Sequence, residues 1–469
     1  MLMALVWLSV SAIGCSMILA QTLGVGYVLV SGLWLARSIV RTPATIVHPV
    51  NIFLVSCVYL LLLDTATLRE VHSFNPQAVL ITDTIIGIYL VSVLTMYHLS
   101  GRRSSPLIRL PRSADMILTG NTYFWITIAI LVAEYLERLY FADFSLRRLV
   151  ELMLLSKSGS ELHVDAPFLR GAGGGWEVFF MPIDSLFLGL TAFADRAWKH
   201  GVSRPKKVIL IAAILIQLGT IVLGGSKQPL LVAVTLPLVI RAAQHDKSLG
   251  RWVAVMVLMS FLMAPVMDTM AQVRGLGWSS ISDVRNVGWN MVEAGRDDNL
   301  HWMVRFVSYL GDDPGVLAYK GPLGFVTGLQ TVGWQWLINP IPRVLWPTKP
   351  EPWKRLEPGR PWYATESAVG DLLRYGGISF VIVGGLLMGF WLSLLESLYL
   401  MPKGDGTAMV YGYLLVATSG MVRSTSPIAA MVPLVTCLIV VTVWRVVGAS
   451  STSRGDRSAS DRQAIAYTG

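Results

Sequence analysis

Charge is what this chain has least of. Asp, Glu, Lys and Arg make up only 14% of its 469 residues, against roughly 25% in an ordinary soluble domain. Cysteine is almost missing. The three present, Cys15, Cys57 and Cys437, all fall inside apolar runs, which excludes a disulfide framework. Histidine numbers seven, and no Cys/His pattern has zinc-ligand spacing. There is no Gly-x-x-x-x-Gly-Lys-Ser/Thr loop to cradle nucleotide phosphates, and no internal repeat. What is plentiful is apolar surface, 54% of residues with a mean hydropathy of +0.57. A soluble globular enzyme, a disordered chain and a collagen are thereby excluded. An all-α, polytopic integral membrane protein remains.

A spanning helix needs about 20 mostly apolar residues. Segments of that kind lie near 2–20, 24–40, 48–64, 78–99, 120–141, 176–194, 207–223, 228–243, 252–270, 377–398, 407–422 and 426–446. The expectation is about 12 transmembrane helices forming one domain over 1–446, followed by a flexible cytoplasmic tail, 447–469. The first segment lacks a basic start and a small-residue cleavage site, so it reads as a retained helix.

The net charge of +9 would point to nucleic acid in a soluble protein. Here it reports orientation, because short cytoplasmic loops collect Lys and Arg. With the N-terminus inside, 19 of the 38 basic residues fall on cytoplasmic stretches, among them Arg102, Arg103, Arg196, Lys199, Arg204, Lys206, Lys207 and Arg241. The short outer loops hold only Arg69, Lys227 and Arg423. Both termini are therefore expected in the cytoplasm, and no nucleic-acid partner is expected.

Two outer segments are long. Residues 142–175 place Phe144, Leu146, Leu149, Val150 and Met153 at helical spacing, with Arg147, Arg148 and Glu151 on another face. That pattern suits a helix lying in the interface or a connector packed on the bundle. Residues 271–376 form a large extracytoplasmic loop with 11 Lys+Arg against 10 Asp+Glu. Loops of this length usually carry function. It holds eight of the 16 tryptophans, either an interfacial belt or platforms for sugar rings.

The densest part is Asn339-Pro-Ile-Pro-Arg-Val-Leu-Trp-Pro-Thr-Lys-Pro350. Five prolines between Pro340 and Pro352 favour an extended, preformed backbone. Arg343 and Lys349 thus sit on a stiff ribbon framed by Trp346. Fixed guanidinium and ammonium groups suit a phosphate or diphosphate. Lys227 lies in a tight Gly-Gly-Ser-Lys turn, Arg274 follows the ninth span and Arg423 precedes the last. Together with the loop, these make four outer elements that place cations at one level. Asp184, beside Pro182 in the sixth span, reads as a functional carboxylate or as partner to one of these cations. Gly385 and Gly389 form a Gly-x-x-x-Gly pair that favours close helix packing.

These residues also carry a resemblance. Gly224-Gly-Ser-Lys-Gln-Pro-Leu230, Arg274, Ile341-Pro-Arg-Val-Leu-Trp-Pro-Thr-Lys-Pro350, Ser367-Ala-Val-Gly370 with Tyr375-Gly-Gly377, and Arg423 occur in an order that resembles the Wzy-type oligosaccharide repeat-unit polymerases of bacterial envelope polysaccharides. The likeness covers residues 220 to 446; the first 200 residues match in hydropathy alone. Lys227 stands where the family commonly has Arg, which keeps charge and loses bidentate geometry.

The resemblance implies a glycosyltransferase of C-type membrane architecture in the bacterial cytoplasmic (inner) membrane, with its active site facing the periplasm. Donor and acceptor would be undecaprenyl-diphosphate-linked oligosaccharides, and a chain-length regulator and a flippase would be partners. Lys227, Arg274, Arg343, Trp346, Lys349 and Arg423 would bind substrate. Arg343 would neutralise the leaving diphosphate without a metal or other cofactor. The acceptor hydroxyl needs a general base. Glu366 and Asp371 are the first candidates, with His301, Asp297-Asp298 and Asp312-Asp313 as alternatives. An O-antigen ligase, which adds the glycan to lipid A-core in lipopolysaccharide synthesis, and a repeat-unit flippase are the rival readings.

The orientation is directly testable. Single cysteines at Lys227→Cys and Thr348→Cys should react with an impermeant maleimide on intact spheroplasts; reaction only after lysis would reverse the predicted topology.

Overall fold

Wherever the backbone is described it is helical or a short connection. The computed structural model describes residues 47–57, 76–101, 118–147, 149, 177–223, 227–244, 326, 329, 348, 367–400, 404–423 and 434–446. In chain order the helices are α1 (Pro49–Cys57), α2 (Pro76–Gly101), α3 (Gly120–Phe141), α4 (Glu177–Leu188), α5 (Leu190–Lys199), α6 (Arg204–Leu223), α7 (Lys227–Ala243), α8 (Ser367–Leu400), α9 (Asp405–Arg423) and α10 (Leu434–Val446). Nine expected spans fall wholly or partly on these helices. The spans near 2–20, 24–40 and 252–270 lie outside the described residues, as do nearly all of the 271–366 stretch and the 447–469 tail. Among the described residues one helical stretch, Gly376–Leu400, is long and apolar enough by itself to cross a bilayer.

Local chemistry sets several boundaries. Thr119 caps α3, its hydroxyl accepting from the Thr122 amide at 3.2 Å, which satisfies one orphan donor of the first turn. At the other end Asp143 and Phe144 turn to φ of 51° and 56°, a left-handed stop after the last helical residue. Phe144 and Leu146 beyond it are exposed, while Leu149 is buried.

The sixth expected span is two helices broken at Gly189. A Cβ there would lie 1.8 Å from the Tyr413 hydroxyl, so only glycine lets α9 approach. The break strands carbonyls that need a donor from elsewhere in the bundle. Gln217 of α6 supplies the missing donor, its amide reaching the Phe187 carbonyl and the Leu188 carbonyl at 3.2 Å.

α8 is also interrupted. Gly376 and Gly377 leave helical geometry, with φ/ψ of −150°/20° and 70°/−159°; the second conformation is open essentially to glycine alone. The segment before the break folds back, because a Cβ on Gly384 would come within 2.4 Å of Leu372. Beyond the break, α8 lies against α2 at backbone distance. A Cβ on Gly385 would sit 2.9 Å from the Tyr89 carbonyl, and one on Gly389 only 2.2 Å from that of Val93. The glycine pair therefore serves the close packing expected of it.

Side-chain pairing fixes which helix ends lie together. Tyr123 near the start of α3, His200 just past α5, Gln244 just past α7 and Asp405 at the start of α9 share one hydrogen-bonded group. Lys206 at the start of α6 bonds Asn121 of α3 at 2.8 Å. His48 before α1 pairs with Glu396 near the end of α8 at 3.3 Å. The ends gathered here are those that the positive-inside rule assigns to the cytoplasm. The outward faces are apolar: Trp125, Val132, Leu136 and Tyr140 on α3, Val208, Ile211 and Leu215 on α6, and Ile378, Ile382, Leu387 and Phe390 on α8 are all exposed. Helical stripes of this kind ask for a non-aqueous neighbour.

A change of Gly389→Leu should force α2 and α8 apart and lower the thermal unfolding midpoint, with overpacking costing at least about 1–3 kcal/mol. Gly219→Ala on exposed α6, where a Cβ meets nothing within 4 Å, should be neutral or raise stability by about 0.5–1 kcal/mol. Equal behaviour of the two variants in a detergent melt would contradict the packing.

Candidate functional site

The site expected from sequence is assembled from loop and helix-end residues, and the structure describes part of it. Arg274, Arg343, Trp346, Lys349 and Glu366 lie outside the described residues, as do His301 and the two Asp pairs. Lys227 is the first residue of α7 and Arg423 the last of α9. α7 ends, and α9 begins, in the group around Asp405, so the two cations terminate their helices at the opposite end of the bundle. The 17 residues of α7 put that end about 25 Å away at 1.5 Å per residue.

Asp371 lies near the start of α8, a helix that packs against α9. Val369 and Leu373, which flank it, share an apolar cluster with Val422, the neighbour of Arg423, and with Cys57 and Ile85. Sequence reasoning treated Asp371 as an exposed loop carboxylate just ahead of a span. It is instead in the second turn of α8, and is fully buried. The reason is the fold-back at Gly376–Gly377, which lays the first turns of α8 inside the bundle. Ser367 opens this segment with φ of 72°, and its hydroxyl accepts from the Gly370 amide at 3.2 Å. Arg374 follows Asp371 by one helical turn, the spacing at which side chains share a face.

A second polar group lies in the same half of the bundle. Glu134 and Glu137 of α3 and Asp184 of α4 hold carboxylate oxygens within 4.8 Å of one another. Arg138 binds Glu134, with Nε donating at 2.7 Å, and its guanidinium lies 5.8 Å from the centre of the Phe187 ring. Three acids at this separation suit a hard cation with oxygen ligands, and Arg138 already supplies positive charge. Asp184 was expected to be either a functional carboxylate or the partner of an outer cation. Its described neighbours are two acids and Arg138. The sequence held a signal for this in Glu134-x-x-x-Arg138 within an apolar run, but the triad draws on two helices about 50 residues apart, and no local spacing reveals it.

The opposite end carries the most extensive network. The Asp405 carboxylate accepts from the Tyr123 hydroxyl at 2.8 Å and the Gln244 amide at 2.8 Å, lies 2.6 Å from His200 Nε2, and meets Arg196 at 3.4 Å. Arg196 also donates to Gln244. Beside them Arg241 embraces Asp195, its Nε reaching both oxygens at 3.0 and 3.1 Å. The His200 ring stacks on Tyr123 with centroids 5.6 Å apart. Arg196 and Arg241 were counted as loop charges that set orientation; both are buried. As the first residue of α9, Asp405 also complements the helix dipole. Four side chains engage the carboxylate, so the group ties these helix ends together.

Burial pushes the Asp405 carboxyl up, but the Gln244 and Tyr123 hydrogen bonds and the Arg196 and His200 charges outweigh it, leaving the group below its ordinary value. The depressed value means that this stabilisation is present above the ordinary carboxylate pKa of about 3.9 and lost on further acidification. Asp405→Asn should lower stability at pH 7, by about 3–5 kcal/mol as expected for a broken buried pair. The wild-type advantage should persist to pH 5 and fade only below about pH 4; thermal melts across that range decide it. No protein-family profile, curated protein or solved structure matches this chain.

Proposed function

We propose that this chain is a multi-pass membrane glycosyltransferase that polymerises undecaprenyl-diphosphate-linked oligosaccharide repeat units on the outer face of the bacterial inner membrane. In this reading about twelve helices cross the bilayer, and both termini are cytoplasmic. What supports the proposal is that α7 and α8, which bear two of the motifs, both pack against α9, which ends in a third. Lys227, Asp371 and Arg423 come from three separate sequence motifs and three helices, α7, α8 and α9. The apolar outward stripes on α3, α6 and α8 support a bilayer as the surrounding medium.

The chemistry asks for two things. A sugar hydroxyl on the acceptor attacks the anomeric carbon of the donor, the new glycosidic C–O bond forms, and the bond to the lipid diphosphate breaks. The departing diphosphate gathers negative charge, which Arg343, Arg274, Lys227, Lys349 and Arg423 neutralise. The attacking hydroxyl gives its proton to a carboxylate. Asp371 takes this role, with Glu366 five residues before it in the chain. Trp346 offers a sugar ring a flat apolar face.

A strain carrying Arg343→Ala should express the protein and lose polymer, so that glycan capped with a single repeat unit accumulates. Asp371→Asn should do the same with normal protein levels. Unchanged chain ladders on a gel in both variants would overturn the site. For the deletion strain, single-repeat glycan supports polymerisation. Uncapped core would indicate a ligase, and intermediates held in the cytoplasm a flippase.

A further inference from the structure

The starts of α3 and α6 and the end of α5 form a basic and aromatic surface that the tie around Asp405 does not use. α6 opens with Arg204-Pro-Lys-Lys207. Its two lysines diverge: Lys206 reaches α3, where it bonds Asn121 at 2.8 Å and lies 5.2 Å from the centre of the Phe124 ring. Lys207 turns to α5, with its ammonium 5.0 Å from the Trp198 ring centre. Arg204 is exposed beside them; Lys199, also exposed, donates to Gln244 at 3.2 Å. Two tryptophans, Trp198 and Trp125, are also exposed, at 45% and 63%. From this rim the exposed apolar stripes of α3 and α6 run away toward the other end of the bundle.

Among the described residues, no acid pairs with Arg204, Lys206 or Lys207. Among the described acids at this end, Asp195 and Asp405 are buried and committed to Arg241, Arg196 and His200, and Glu396 pairs with His48. Placing cations on the faces of aromatic rings holds ammonium groups near the rim without neutralising them. Two parallel helices also present their positive dipole ends here, α3 and α6. The combination is a row of cations, flanking indoles and an apolar wall directly below. It matches a molecule with a phosphate at one end and hydrocarbon at the other.

We propose that this surface binds the phosphate headgroup of an anionic phospholipid in the cytoplasmic leaflet, with the acyl chains lying along α3 and α6. The inference rests on the reading of these helices as bilayer-spanning. Lys206, Lys207 and Arg204 meet the phosphodiester, and Trp198 and Trp125 sit at headgroup level. A bound lipid bridges the starts of α3 and α6.

Native mass spectrometry of the full-length protein in detergent, with equimolar phosphatidylglycerol and phosphatidylethanolamine, tests it. The wild type should retain phosphatidylglycerol preferentially. Each cation removed should reduce that preference about fivefold, so that Arg204→Gln/Lys206→Gln/Lys207→Gln approaches parity. Lys207→Gln alone removes only the charge on an exposed ring and guards against misfolding of the triple variant. Arg147→Gln, beyond the far end of α3, should change nothing. Equal retention of the two lipids by the wild type would overturn the proposal. So would an undiminished preference in both the single and triple variants, or displacement of the lipid by inorganic phosphate alone. Alkaline carbonate extraction checks the bilayer reading separately: release into the soluble fraction removes it, whereas firm retention without headgroup preference removes only the lipid site.

Discussion

One carboxylate, Asp405, organises the end of the bundle where the polar groups are most deeply buried. Its oxygens are engaged by side chains of α3, α7 and the residues at the end of α5, and it opens α9 itself. A buried charge without partners is prohibitive in a low-dielectric interior, so these helices must arrive together or not at all. Once they do, the direction of each is set, because every participant sits within a turn or so of a helix end. The Asp195–Arg241 pair repeats the principle between α5 and α7. The chain thereby acquires a rigid base.

The consequences reach the other end. With α7 and α9 pinned antiparallel at Asp405 and Gln244, Lys227 and Arg423 are carried to the opposite end as the far termini of the same two helices. α8 reverses at Gly376–Gly377, and Asp371 is buried between Val369 and Leu373, which belong to the same apolar cluster as Val422. Glycine has two tasks along this helix. At Gly377 it allows a backbone conformation closed to other residues, and at Gly385 and Gly389 it lets two backbones touch. The proposed catalytic carboxylate depends on both.

The described helices were legible because apolar runs of helical length, with basic residues left between them, stand out in composition alone. The run from 120 to 141 and α3 coincide, and the glycine pair of α8 was recognisable because close packing needs small residues at a four-residue interval. Hydropathy saw less well inside a run. It treated 176–194 as one span, where Gly189 divides two helices, and it could not see that Gln217 satisfies the carbonyls freed by the break.

The sequence by itself determined an apolar chain, roughly where most of the described helices lie, and which of their ends carry positive charge. These are properties of contiguous segments, so periodicity and composition record them. Only the tertiary structure decided which charges are solvated and which are buried. Arg196 and Arg241 read as loop cations yet lie in ion pairs, Asp371 read as a loop acid yet lies inside α8, and Glu134, Glu137 and Asp184 meet across two helices. The partners involved are far apart in the chain, 282 residues for Tyr123 and Asp405. A charge's environment is set by what packs against it, and no local pattern encodes a neighbour so distant.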